Sequence, residues 1–311
     1  MNKQQPARDR AILLMGATAT GKTGIAVQLA GRYPVEIISV DSALIYRQMD
    51  IGTAKPDPQT LQRAPHHLID ILDPAESWSA WEFVQSASGL ISDINRRGRL
   101  PLLVGGTMMY FNALQQGMND LPVADQALRE ELQQRRSQQG LDVLYGELQR
   151  LDPATAQRLK PTDPQRILRA LEVCMITGQP MSRLLERVQK RPEIDFDRVI
   201  LDVPERAQLH QRIADRFEIM LRAGFEDEVA ALRARGDLDL SMPSMRCVGY
   251  RQMWQYLEGA LSRDQMVANA VAATRQLAKR QLTWLRKYTD THRLDFRVAT
   301  GADVARHLRL T

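Results

Sequence analysis

An eight-residue segment near the start, GATATGKT, constrains the fold of this 311-residue chain more than any other feature. It has the spacing G-x-x-x-x-G-K-T and lies between an apolar run, Ala11–Ala17, and a helical pattern, Lys22–Gly31. In that context backbone N–H groups and the helix N-terminus surround a phosphate, Lys22 adds a positive charge, and the Thr23 hydroxyl can ligate Mg²⁺. The residues predicted to bind the phosphates are Gly16, Ala17, Thr18, Ala19, Thr20, Gly21, Lys22 and Thr23.

The remaining apolar runs predict how this loop is embedded. Val35–Asp41 and Leu100–Gly106 are short continuous apolar segments typical of buried strands, and a helix with a capping box begins at Ser79 between them. Strands that alternate with helices indicate a parallel sheet. The fold class predicted is therefore α/β, with a P-loop NTPase-like parallel sheet covered by helices on both faces.

The pattern changes in the middle of the chain. Residues 119–195 carry polar helical patterns and no strand signal, so we predict an all-helical insertion there. Strand character returns at Arg198–Val203, followed by helices at Arg206–Gly224 and Met266–Tyr288 and a last strand at His292–Val298. Residues 1–118 and 196–311 then form the catalytic core with C-terminal helices.

The charge of the chain is unevenly distributed. The formal net charge is +5, and 35 of the 42 basic residues are arginine. Residues 1–125 carry 11 basic and 12 acidic side chains, whereas residues 206–311 carry 18 and 12. A basic final third favours an RNA partner. No apolar run is long enough to span a membrane and no signal peptide is found, which predicts a cytoplasmic protein without a membrane partner.

An acidic residue follows the second predicted strand. In NTPases a later strand usually ends in an acid near the phosphates, but here the third strand ends in Gly105, Gly106 and Thr107. The acid is Asp41, placed at the carboxyl ends of the strands where ligands bind in such sheets. It is either a general base facing a bound electrophile or a cap for the following turn.

Several segments together resemble the tRNA dimethylallyltransferases of the IPP transferase family. Besides the phosphate loop, the resemblance rests on Asp41–Pro56 (DSALIYRQMDIGTAKP), His66–Asp70, Val104–Thr107, Asp163–Arg166 and Arg246–Arg251. It extends over residues 11–288. One departure is Met108, which we expect to affect the shape of the pocket.

The resemblance implies Mg²⁺-dependent transfer of a dimethylallyl group from dimethylallyl diphosphate to N6 of adenosine-37 in tRNA. The phosphate loop would then hold the leaving diphosphate, and Asp41 would be the general base. Thr107 would contact the target nucleotide, and Arg216 would bind the diphosphate. The alternative for Arg216 is a surface ion pair with Asp215 or Glu218.

The resemblance also implies a set of tRNA contacts at the anticodon stem-loop. These residues are Asp41, Ser42, Ala43, Leu44, Thr107, Arg129, Gln165, Arg166, Ile167, Leu168, Arg169, Arg246, Cys247, Val248, Gly249, Tyr250 and Arg251. Arg275, Lys279 and Arg286 lie on a helix pattern without acidic residues and suit the same partner. The alternative for each arginine is a solvated helix face.

Two other functions remain open at this point. One is a P-loop phosphotransferase with Asp41 as base for a small hydroxyl substrate, and the other is a non-enzymatic RNA-binding module. His66 and His67 are adjacent on an extended segment and point to opposite sides, so a metal pair is not expected there. We expect the protein to be a monomer.

Overall fold

The computed structural model describes residues 8–119, 121–186 and 192–310. The chain divides into two compact units. The core unit comprises Met1–Leu114 and Glu193–Thr311, and the insertion comprises Gln115–Pro192. The predicted boundaries lie within four residues of these.

The elements alternate between strands and helices up to the insertion. In chain order they are β1 (Asp9–Gly16), α1 (Lys22–Ala30), β2 (Val35–Val40), α2 (Pro58–Arg63), β3 (His66–His67), α3 (Ala80–Arg96), β4 (Leu100–Gly105) and α4 (Met108–Gln116). The Ser79 side chain caps α3 and forms the predicted capping box with Glu82.

The described part of the insertion is helical. Its elements are α5 (Gln126–Gln139), α6 (Leu141–Leu151), α7 (Pro153–Arg158), α8 (Pro164–Thr177) and α9 (Met181–Glu186). Asp163 caps α8 and Gly178, with a φ of 66°, ends it. A small apolar core that includes Leu132, Leu144 and Ile167 joins these helices.

The chain then returns to the core unit. The remaining elements are β5 (Ile194–Asp202), α10 (Arg206–Arg222), α11 (Phe225–Ala234), α12 (Tyr250–Leu257), α13 (Arg263–Leu285), β6 (His292–Asp295) and α14 (Gly301–Leu308). None of the helices in the described ranges combines the length and the apolar composition that a membrane span needs.

The six strands form one parallel sheet in the order β3-β2-β4-β1-β5-β6. β1 lies at its centre with Ile12, Leu13 and Leu14 fully buried, which explains its uninterrupted apolar sequence. The predicted α/β fold is confirmed. β5 begins four residues before the predicted strand because Ile194–Asp197 pair with β1 despite their charged sequence.

Two edge strands are short. β3 has only two residues, which is too short for a sequence pattern, and β6 ends three residues before the predicted Val298. His67 Nε2 lies 3.0 Å from Glu36 Oε2, whereas His66 Nδ1 lies 2.6 Å from the Ala64 carbonyl. The two rings therefore have separate partners, and no metal-binding group of three His, Cys, Asp or Glu occurs in the described residues.

Candidate active site at the phosphate loop

The phosphate loop connects β1 to α1 and is held in shape by its own side chains. Thr20 Oγ1 and Lys22 Nζ both donate to the Ala17 carbonyl oxygen, each at 2.7 Å. Gly21 has a φ of 87°, a left-handed conformation that favours glycine immediately before the helix. The N-terminus of α1 and the side chain of its first residue, Lys22, therefore lie together at this loop.

Lys22 lies in an environment that disfavours its charge. Burial outweighs the opposing effect of Asp41 and, with a smaller contribution from Arg216, lowers the pKa of the ammonium group to about 7. An anion bound at the loop would offset the same desolvation. The lysine is thus suited to a negatively charged ligand.

Asp41 follows β2 directly, and the structure shows the turn-capping role, whereas the general-base role stays a prediction. Its Oδ1 accepts from the backbone N–H of Ala43 at 2.9 Å and of Leu44 at 3.4 Å, so the carboxylate caps the turn. Its Oδ2 accepts no hydrogen bond from the described residues. That oxygen is available to accept a proton from a bound substrate.

The glycines that end β4 explain why no acid stands there. A Cβ atom at Gly105 would collide with the Val40 carbonyl oxygen of the neighbouring strand, so no side chain fits. Thr107 follows and its Oγ1 accepts from the Ser42 N–H at 3.1 Å. This contact joins the ends of β2 and β4 beside Asp41.

Two cavities of 490 and 780 Å³ meet at the carboxyl ends of the strands. The smaller one is lined by Thr107, Met108 and residues 246–250, and the larger one by Lys22 and Thr23. Their shared wall consists of Thr18, Ala19, Asp41, Thr53, Gly106, Arg216, Met220 and Gln281. Two ligands, one in each cavity, could therefore meet beside Asp41.

Arg216 points from α10 to this shared wall. Its Nη2 donates to the Thr53 carbonyl oxygen at 3.2 Å. Burial lowers the pKa of the guanidinium group, and Asp41 opposes that shift. No ion pair joins Arg216 to Asp215 or Glu218 within the described ranges, so the surface alternative is wrong.

The segment Arg246–Arg251 contributes most of its residues to the smaller cavity. Arg246, Cys247, Val248, Gly249 and Tyr250 line it, whereas Arg251 does not. Tyr250 Oη donates to Glu228 Oε1 at 2.5 Å, which fixes the ring. Burial, together with Asp41, raises the pKa of the Cys247 thiol to about 12, so this thiol stays protonated at neutral pH.

The insertion holds the other predicted tRNA contacts. Arg129 Nε and Arg169 Nη1 pair with the buried Glu172 at 2.9 and 2.8 Å. The side chains of Ile167 and Leu168 are buried in the insertion's apolar core and cannot face an RNA there. Gln165 and Arg166 are exposed at the first turn of α8. Contact of these residues with tRNA stays a prediction.

Several residues of the site are missed by sequence reasoning. Thr274, Leu277, Arg280 and Trp284 of α13 line the smaller cavity, and Gln281 reaches both. In the sequence only the segment Met266–Tyr288, which has no acidic residue, marks this helix; the structure begins it earlier, at Arg263, and so includes Asp264. On the same helix Arg275, Lys279 and Arg286 are exposed and form no ion pair with any described residue.

The residues around the loop fit a magnesium ion bound together with a diphosphate. Thr23, in the first turn of α1, and Asp41 both line the larger cavity and carry oxygen ligands. Mg²⁺ prefers oxygen ligands and usually takes only one or two from the protein, with substrate phosphates and water supplying the rest.

Comparisons with known proteins agree on one family. The sequence model of the IPP transferase family matches residues 44–288, and that of isopentenyl transferases matches residues 9–70. A tRNA dimethylallyltransferase from Janthinobacterium sp. (strain Marseille) is 55% identical over 287 residues, which cover 91% of each chain.

Solved structures give the same result. The full-length tRNA isopentenylpyrophosphate transferase from Bacillus halodurans aligns with a TM-score of 0.68 at 35% identity and covers 97% of both chains. A eukaryotic dimethylallyltransferase, solved acting on tRNA, aligns with a TM-score of 0.78 at 26% identity. That alignment covers 96% of this chain and 76% of the eukaryotic one.

Proposed function

The chain belongs to the IPP transferase family, and from this premise we propose that it transfers a dimethylallyl group to N6 of adenosine-37 in tRNA. The donor is dimethylallyl diphosphate, and diphosphate is the leaving group. The observation that carries the proposal is the meeting of two cavities at Asp41, because one contains the phosphate loop and the other the Arg246–Tyr250 segment. As its relatives do, the protein prenylates tRNA.

The reaction divides between the two cavities. The adenine N6 in the smaller cavity forms a bond to C1 of the dimethylallyl group, while the bond from C1 to the diphosphate oxygen breaks. Asp41 Oδ2 accepts the N6 proton, a role typically worth about 10²–10⁴ in rate. Thr107, which follows β4 and is bonded to Ser42 after β2, contacts the nucleotide.

The larger cavity stabilises the leaving group. The loop amides, Lys22 and Arg216 surround the position of the diphosphate and neutralise its developing charge, which is usually the largest contribution to catalysis. Thr23 would hold Mg²⁺ against the phosphates, and the ion would supply further positive charge there.

Each unit has its own set of proposed tRNA contacts. The adenine of a loop leaves its stack at a cost of a few kcal/mol, which is least for unpaired bases. We propose that Arg246, Arg251 and the basic face of α13 in the core unit bind the anticodon stem-loop. For the insertion we propose that Arg129 and the start of α8 contact tRNA. We further propose a monomeric protein that acts in the cytoplasm.

The test is an incubation of purified protein and Mg²⁺ with unmodified tRNA and one of two labelled donors. We expect label in tRNA from dimethylallyl diphosphate and none from γ-labelled ATP. Digestion of the product to nucleosides should place the label on N6-isopentenyladenosine. Transfer from ATP alone would identify a phosphotransferase and refute the proposal.

A further inference from the structure

The side chain of Gln281 joins the phosphate loop to the end of β4. Its Oε1 accepts from the Thr18 N–H at 2.8 Å, and its Nε2 donates to the Gly106 carbonyl oxygen at 2.9 Å. The residue is 8% exposed, its contact with Gly106 is buried and its contact with Thr18 is partly buried. A buried amide with both ends paired fixes the groups it contacts, since an unpaired buried group is costly.

The backbone at Gly106 is adapted to this contact. A Cβ atom there would collide with Gln281 Nε2, so glycine is required by the close approach of the amide. Gly106 precedes Thr107, whose hydroxyl binds the Ser42 N–H beside Asp41. One side chain therefore contacts both the phosphate loop, whose Lys22 and Thr23 line the larger cavity, and the Gly106–Thr107 segment, whose Thr107 lines the smaller one.

The helix that carries Gln281 is the basic α13. Arg280 and Trp284, on either side of Gln281, line the smaller cavity, and Gln281 itself forms part of the wall shared by both. Thr18 and Gln281 are 263 residues apart in the chain. The bridge thus ties the amino-terminal loop to a helix from the other end of the core unit.

We propose that Gln281 is a positioning residue, which fixes the phosphate loop and the Gly106–Thr107 segment relative to each other for prenyl transfer. By holding the Thr18 peptide, the Gln281 amide keeps the loop's remaining N–H groups directed at the larger cavity. The inference deepens the proposed function and rests on it for the reaction, but its effect on diphosphate binding does not depend on which group is transferred.

The alternative role for Gln281 is that of a blocking group. If its Oε1 merely occupies an N–H that a phosphate would otherwise take, its removal would tighten diphosphate binding. A positioning role predicts the opposite sign, because the loop then loses its productive conformation. The two roles differ in the direction of a single measured change.

The test compares Gln281→Leu with Gln276→Leu, an exposed glutamine on the same helix. Calorimetry with inorganic diphosphate and Mg²⁺ gives Kd, and single-turnover prenylation at saturating tRNA gives the rate. Because two buried polar groups lose their partner, we expect Gln281→Leu to raise Kd by about ten-fold or more and to lower the rate, with tRNA affinity unchanged. The Gln276→Leu variant should match the native protein in both measurements.

The Gly106→Ala variant tests the contact between Gln281 and Gly106 from the Gly106 side. It can be measured even if Gln281→Leu fails to fold. We expect it to raise the diphosphate Kd in the native background but not in Gln281→Ala, where the shorter side chain removes the collision. Unchanged or tighter diphosphate binding in Gln281→Leu, or additive effects in the double variant, would overturn the proposal. Failure of prenyl transfer with the expected Kd changes would instead refute the proposed reaction alone.

Discussion

The cations of the phosphate-loop site and the charged groups buried in the insertion are neutralised to different degrees. In the core, Lys22 and Arg216 are directed at cavities, and burial lowers the pKa of both. In the insertion, the buried Glu172 is paired with Arg129 and Arg169, and the buried Asp152 caps α7. Incompletely neutralised cations attract an anionic substrate, whereas paired ones hold helices together.

This difference shows that arginine content alone does not locate an RNA-binding surface. Arg129 and Arg275 look alike in the sequence, but Arg129 shares a carboxylate with Arg169 and Arg275 pairs with no described residue. A neutralised arginine releases fewer counterions when it meets a phosphate. The basic face of α13 should therefore contribute more to the salt dependence of tRNA binding than the insertion's paired arginines.

The largest effect should come from the core. In Asp41→Asn the side-chain oxygen still accepts from the Ala43 N–H, so the turn is kept while the proton acceptor is lost. We expect kcat to fall at least about 100-fold, with tRNA affinity little changed. Steady-state kinetics and a tRNA binding assay measure the two quantities. A loss of tRNA affinity as the main effect would assign Asp41 to recognition instead.

The second effect should be confined to the insertion. Glu172→Gln leaves two guanidinium groups without their buried carboxylate, which we expect to lower the insertion's free energy of unfolding by roughly 3 kcal/mol. All four tryptophans lie in the core unit, so their fluorescence reports the core while hydrogen exchange of α6 and α8 reports the insertion. The exposed Glu131→Gln is the matched control and should change neither probe. Equal destabilisation of both units by Glu172→Gln would contradict the comparison.

A smaller effect should depend on pH. Burial opposes ionisation of Asp152, but hydrogen bonds from Thr155 and Ser182 outweigh it and lower the pKa of the carboxyl group. A depressed pKa stabilises the fold above the carboxyl's ordinary value, and this contribution is lost as pH falls through the folded-state pKa. Urea unfolding of the insertion between pH 5 and 3 should therefore be less pH-dependent in Asp152→Asn than in the native protein. Identical pH profiles would remove this role for Asp152.

The sequence predicts those parts of the site that depend on neighbouring residues. The phosphate loop, Asp41 at the end of β2, and the capping box of α3 follow from local patterns and are found in the structure. Gln281 and the Thr53 carbonyl are not predictable, because they meet their partners across 263 and 163 residues. The burial of Ile167 and Leu168 could have been anticipated from helical periodicity, but the resemblance placed them among the tRNA contacts.

The smallest effect for any single residue, and the sharpest comparison of the two regions, concerns the salt dependence of tRNA binding. Arg275→Gln should lower the magnitude of the slope of log K against log salt by about 0.7, the value for one phosphate of a single strand. Arg129→Gln should lower it by less, because Glu172 already compensates that charge in the free protein. Arg96→Gln, which removes an arginine paired with Asp93 at 2.9 Å, is the control and should leave the slope unchanged. Fluorescence anisotropy with a labelled anticodon stem-loop measures the slopes. If Arg129→Gln changes the slope as much as Arg275→Gln does, pairing with Glu172 does not decide which arginines meet RNA, and the insertion must release Arg129 when it binds.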